Sequence, residues 1–109
     1  MRVLLDECLP RRLVADLVGY AATTVPQAGW AGVANGALLA RIEGVFDCFI
    51  TMDKNLPAQN LVGALSFGVI VLRAPSNRLQ ALRPLVPEII EALGRIKSGQ
   101  LILIDARAV

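Results

Sequence analysis

At 109 residues the chain is the size of one domain, and 55% hydrophobic against 18% charged residues gives it a core to bury, which excludes intrinsic disorder. Lys and Arg number 11 and Asp and Glu 9, a net charge of +2 that is too small to coat nucleic acid by electrostatics alone. With no His and only Cys8 and Cys48, the chain excludes a His-ligated zinc site, a Ser-His-Asp triad, a thiolate–imidazole pair and a disulfide framework, and leaves metal chemistry to oxygen ligands.

Arg2 to Leu5 is a short apolar run ending at Asp6 and reads as a buried strand. Pro10 suits the first position of a helix, with Leu9, Leu13 and Leu17, joined by Val14 and Val18, as its apolar stripe and Gly19 as its stop. Tyr20 to Val25 predicts a second strand, and Pro26 to Gly32 a loop holding the only Trp. Asn35 is placed to cap a helix with Leu38, Leu39 and Ile42 inward, ended by Gly44. Phe46 to Met52 predicts a third strand ending at Asp53, followed by a loop over Lys54 to Asn60 and a short helix over Leu61 to Leu65. Gly68 to Leu72 is the clearest buried strand. Ser76 or Asn77 is expected to cap a helix reaching Arg83, and Pro84 and Pro87 to separate it from a last helix over Glu88 to Ile96. Gln100 to Ile104 closes the series as a fifth strand.

Strands that alternate with helices and are apolar throughout predict a three-layer α/β/α sandwich around a mainly parallel sheet, spanning residues 1–109 as one domain. The uncharged stretch Leu17 to Ala40 contains Pro26, Gln27, Asn35 and four Gly, so it is not expected to cross a membrane. Asp6 and Glu7 interrupt the first apolar run, so no leader is expected and the protein is placed in the cytoplasm. The acids concentrate in the first half of the chain, and Arg73, Arg78 and Arg83 stand in the second.

Ligands of open α/β sheets bind outside the carboxyl ends of the strands. Asp6 and Asp53 each follow a buried strand directly, and Glu7 adjoins Asp6. If the two strands are neighbours, these carboxylates suit a hard divalent ion, Mg²⁺ or Mn²⁺, that activates water against a phosphodiester. Glu7, and Asp6 with it, also fits a helix cap or a dipole partner. Arg73 emerges on the same edge, where it can meet a phosphate or pair with an acid. Trp30 can stack on a base or cover the core edge. Asp47 precedes its strand and lies roughly 20 Å from Asp53 at ~3.3 Å per residue, which marks it as structural. Glu43 fits a solvated helix face, and both cysteines fit small buried hydrophobes.

Four stretches, Leu4-Leu5-Asp6-Glu7-Cys8-Leu9-Pro10, Gly29-Trp30-Ala31-Gly32, Phe46 through Pro57 (which includes Thr51-Met52-Asp53-Lys54-Asn55-Leu56-Pro57) and Gly68 to Leu72, resemble in order a family of small bacterial PIN-like proteins related to VapC-type toxins. The resemblance covers the first two-thirds of the chain. It implies an α/β/α nuclease that cleaves RNA with Mg²⁺ or Mn²⁺, metal-binding roles for Asp6 and Asp53 with Glu7 beside them, and inhibition by a small DNA-binding antitoxin. Single-stranded RNA is then the substrate, with Arg73, or Arg78 and Arg83 nearby, on its phosphates and Trp30 on a base; a homodimer is a further expectation. The chain departs from the family pattern in having Cys8 where Asn is common, Ala34-Asn35-Gly36 where an acid is often found, and Asn55 where some relatives carry Asp. Fewer acids imply weaker ion binding and weakened activity. Two alternatives stand beside this expectation: a receiver-like phosphoacceptor domain using Asp53, and a catalytically inactive PIN-like module that binds a partner protein.

Overall fold

A computed structural model describes residues 1–53 and 62–106. The predicted loop at Lys54 to Asn60, with Asn55, and the start of the Leu61 helix lie outside the described residues. Five strands, β1 (Arg2–Leu5), β2 (Ala21–Thr24), β3 (Cys48–Thr51), β4 (Gly68–Arg73) and β5 (Leu101–Asp105), form one sheet in the order β2-β1-β3-β4-β5, and every pairing is parallel. Between them lie α1 (Leu13–Asp16), α2 (Asn35–Ile42), α3 (Leu79–Leu82), a 3-10 turn over Arg83–Leu85 and α4 (Val86–Arg95). No helix among the described residues is long and apolar enough to cross a membrane.

The pleat divides the central strands between two cores. Val3 and Leu5 of β1, Cys48 and Ile50 of β3 and Ile70 and Leu72 of β4 face one way, and are covered by Leu13 of α1, Leu82 of α3 and Ile89 and Leu93 of α4. Leu4, Phe49, Val69 and Val71 face the other way, under Leu38, Leu39 and Ile42 of α2. The three-layer α/β/α architecture follows from this double burial. At about 1.5–3 kcal/mol for each fully buried Leu, Ile or Phe, both faces are needed to hold so small a sheet.

Several boundaries differ from those the sequence predicts. The first helix is a single turn, entered through i→i+3 bonds such as Leu13 N–H to the Pro10 carbonyl at 3.0 Å, and Val18 is 75% exposed instead of continuing its stripe. Asn35 begins α2 without capping it, since Ala34 holds the cap position and the Asn35 side chain is engaged elsewhere. Neither Ser76 nor Asn77 caps α3: Ser76 Oγ accepts from Arg78 N–H at 3.3 Å, and Asn77 Nδ2 donates to the Cys8 carbonyl at 2.9 Å. Pro87 sits inside the first turn of α4, where a missing N–H costs nothing, so that helix begins at Val86 and not Glu88. The expectation that every strand is buried on both faces fails at β5, an edge strand whose Leu103 is 49% exposed between buried Ile102 and Ile104.

Candidate functional site

The order β2-β1-β3 means that the chain leaves β1 in one direction across the sheet and enters β3 on its other side. The crevice at the carboxyl ends of β1 and β3 is therefore the topological switch point, the place where open parallel sheets bind ligands. Leu5 pairs with Ile50, so Asp6 and Thr51 leave the sheet opposite each other.

Asp6 is buried, and a buried carboxylate requires donors. Glu7 N–H donates to Oδ1 at 2.8 Å, and the Thr51 hydroxyl donates to Oδ2 at 2.6 Å. The same Thr51 oxygen accepts from Asp53 N–H at 3.0 Å. One wholly buried hydroxyl thus ties the Asp6 carboxylate to the backbone N–H of Asp53. The neighbouring-strand arrangement expected for Asp6 and Asp53 is what the sheet provides.

Asp53 has a second support. Asn35 Nδ2, from the first turn of α2, donates to Asp53 Oδ2 at 2.7 Å. Asn35 and Thr51 are the two residues of this constellation that the sequence did not single out for it. A hydroxyl inside an otherwise apolar strand is a usable signal, because a buried Thr must find partners. Nothing local signals the Asn35 contact, which spans 18 positions.

Glu7 is turned toward the other side of β1. Its Oε1 accepts from Gly32 N–H at 3.4 Å, a long bond to the loop that follows β2. Among the described residues no three His, Cys, Asp or Glu side chains converge as a ready ligand set. What the crevice offers is oxygen donors only: the carboxylates of Asp6 and Asp53, the first oriented by the Thr51 hydroxyl and the second by the Asn35 amide. This chemistry suits a hard cation that keeps several waters.

Arg73 ends β4, one strand beyond β3. Thr51 pairs with Val71, so two residues later Asp53 and Arg73 leave the sheet level with each other. Arg73 is exposed and stands in register with Asp105 of β5. Arg78 is exposed at the cap position of α3, whereas Arg83 is engaged at 3.1 Å by Asp16. Trp30 is half-buried against the second core, its ring edge-on to Phe46 at 5.8 Å and 84°. That packing matches the expected cover over the core edge. Cys8 packs against the first core but is only half-buried; burial pushes its thiol above the ordinary value and the nearby Asp6 adds to this, while the Met52 backbone and the Thr51 hydroxyl pull the other way. Cys48 is the inert one, pushed up to about 12 by burial and by Asp47.

Two acids lie at the opposite edge. Asp47 Oδ2 accepts from Arg2 N–H at 2.7 Å and fixes the start of β1, the structural role expected of it. Glu43, expected on a solvated helix face, closes α2 by accepting from the Ser66 hydroxyl and, at 3.0 Å, from Ser66 N–H. These bonds, the hydroxyl first, hold the Glu43 carboxyl below its ordinary 4.5. A depressed folded-state value stabilises the fold above the unfolded-state value, and the contribution disappears as pH falls through the folded-state one. Glu43→Gln should therefore lower the thermal midpoint at neutral pH, and its gap from the unsubstituted protein should close as pH falls through the folded-state value of the Glu43 carboxyl. A gap that persists in acid would remove the charge from this account.

The chain matches no family model, no curated protein and no solved structure, so kinship adds nothing to what the crevice itself displays.

Proposed function

We propose that the chain is a metal-dependent endoribonuclease of PIN-like type with weakened activity, acting in the cytoplasm as the toxin of a toxin–antitoxin pair. The observation that carries the nuclease reading is the Asp6–Thr51–Asp53 linkage at the switch point of the sheet. The toxin role and a small DNA-binding antitoxin partner rest on the resemblance in the Asp6–Pro10, Gly29–Gly32 and Phe46–Pro57 stretches.

Asp6 and Asp53 would hold Mg²⁺ or Mn²⁺; Glu7, expected to join them, is instead turned toward Gly32 on the other side of β1. Such an ion supplies an activated water and neutralises the charge that develops on a phosphate. The chain's own residues provide rigidity and orientation. Glu7 N–H and the Thr51 hydroxyl fix both oxygens of Asp6, and Asn35 pins one oxygen of Asp53. Arg73, exposed and level with Asp53, presents a guanidinium fork to a phosphate of the bound strand. With a net charge of only +2, binding to bulk RNA should be weak and should fall further with salt.

The receiver-like alternative has one observation in its favour, the strand order 2-1-3-4-5, which is that of flavodoxin-like and receiver folds. Fold analogy alone carries little functional weight. At the strand ends where a receiver needs a hydroxyl and a Lys, β4 ends in Arg73 and β5 in Asp105. The test is incubation of purified protein with single-stranded RNA and Mn²⁺, beside Asp6→Asn and Asp53→Asn. Cleavage that needs the metal, and that drops at least 100-fold in both variants, is the expected result. Absence of cleavage together with phosphorylation of Asp53 by a small phosphodonor would replace the nuclease by the receiver. Silence in both assays would leave a module that only binds a partner.

A further inference from the structure

On the far side of β1 from Asp53, a cleft of about 390 Å³ is lined by Glu7, Leu9, Arg11, Thr24, Pro26 and Gln27. It lies between the carboxyl ends of β1 and β2, so it shares an edge with the Asp6–Asp53 crevice, and Glu7 follows Asp6 directly into it. Ligand sites run from about 300 to 1,000 Å³, which sets this cleft at the size of one small organic group.

One pair of its polar groups is fixed by the protein before any ligand arrives. Thr24 N–H donates to Gln27 Oε1 at 3.0 Å, and Gln27 N–H donates to Thr24 Oγ1 at 3.2 Å. An amide nitrogen cannot accept, so this reciprocal pair fixes which end of the Gln27 amide faces Thr24. The NH₂ end, with two donors, is left without a protein acceptor among the described residues. Arg11 is exposed and likewise makes no side-chain hydrogen bond or ion pair among the described residues. Glu7 brings an acceptor held only by the long bond from Gly32. Leu9 and Pro26 supply apolar wall. A cation, a fixed pair of donors, an acceptor and an apolar wall together match a phosphate joined to a base, whose edges carry both acceptors and donors.

We propose that this cleft is a nucleotide subsite, holding one base of the RNA strand against Leu9, Pro26 and the Gln27 amide, with the adjoining phosphate on Arg11. The choice of RNA rests on the nuclease reading. Under it the strand crosses the sheet edge from Arg73, over Asp53 and Asp6, to the cleft, a path of roughly 14 Å at ~4.8 Å per strand.

The test is separable from catalysis. Trp30 is the only Trp, and it lies in the loop whose Gly32 touches Glu7, so its fluorescence can report nucleoside 5′-monophosphate titrations in EDTA. Saturable binding is expected in the unsubstituted protein without added metal. It should weaken at least tenfold in Arg11→Ala and in Gln27→Glu, which keeps the carbonyl that Thr24 N–H needs while removing the NH₂ donors. Ribose 5-phosphate should bind at least tenfold more weakly than the nucleotides, and a short single-stranded RNA at least tenfold more tightly than they do. The subsite is overturned if no nucleotide saturates, if both cleft variants bind as the unsubstituted protein does, or if ribose 5-phosphate binds as well as the nucleotides. It is overturned as an RNA subsite if the oligonucleotide gains nothing over the mononucleotide. Nucleotide binding by a protein that cleaves no RNA would support the cleft and refute the nuclease; cleavage without nucleotide binding would do the reverse.

Discussion

Thr51→Val should destabilise the protein by about 2–3 kcal/mol, the cost of leaving buried polar groups without partners. The substitution keeps the shape of the side chain and removes only its hydroxyl, so no cavity contributes. Two contacts go together: Asp6 Oδ2 loses the Thr51 donor and Asp53 N–H loses the Thr51 acceptor. Asp6 feels the loss most, because it is buried and retains only the Glu7 N–H. For a domain of this size the loss corresponds to a fall in melting temperature of roughly 10 °C or more. Thr51→Ser restores the hydroxyl at the cost of one buried methyl, about 1 kcal/mol, and should recover most of the difference. Thermal or urea unfolding of the three proteins checks this. A Val variant as stable as the unsubstituted protein, or a Ser variant no better than Val, would remove Thr51 as the link between the two acids.

The parts of this fold that were legible in the sequence are those where burial acts on every residue. The runs Val3-Leu4-Leu5, Cys48-Phe49-Ile50 and Val69-Ile70-Val71-Leu72 are apolar without alternation because both faces of β1, β3 and β4 are covered, and such runs announce themselves. From three central strands the layer order and the carboxyl edge follow, and with them the placement of Asp6, Asp53 and Arg73. The edges were less legible. Leu103 has the composition of a core residue but lies on a strand with one neighbour, and composition does not report how many neighbours a strand has. The spacing of Leu9, Leu13 and Leu17 satisfies a helix, yet one turn suffices to bury all three, so periodicity overstated the length of α1. Asn35 shows the limit most clearly. Its local preference is to cap, and a partner 18 residues away outcompetes that preference. Polar contacts between distant segments, which make the site what it is, leave no period in the sequence.

The metal itself gives the second large effect. If Asp6 and Asp53 together bind Mn²⁺ in the folded state and not in the unfolded chain, the ion stabilises the protein by RT ln(1 + [L]/Kd), about 2.7 kcal/mol at a hundredfold excess over Kd. That again corresponds to roughly 10 °C in melting temperature for a domain of this length. The double substitution Asp6→Asn and Asp53→Asn removes both carboxylates and should abolish the shift. It is compared with itself, with and without Mn²⁺, so any loss of intrinsic stability cancels. Glu7→Gln should reduce the shift far less, because Glu7 faces Gly32 and the cleft beyond β1 while Asp6 and Asp53 share Thr51. Asn35→Asp is the converse experiment. It replaces an amide that already touches Asp53 Oδ2 with a third carboxylate, so it should destabilise the metal-free protein through like-charge repulsion and enlarge the Mn²⁺ shift. A shift that survives the double substitution places the ion elsewhere. One that Glu7→Gln abolishes as completely as the double variant moves the centre of the site to the β1–β2 side of the sheet edge.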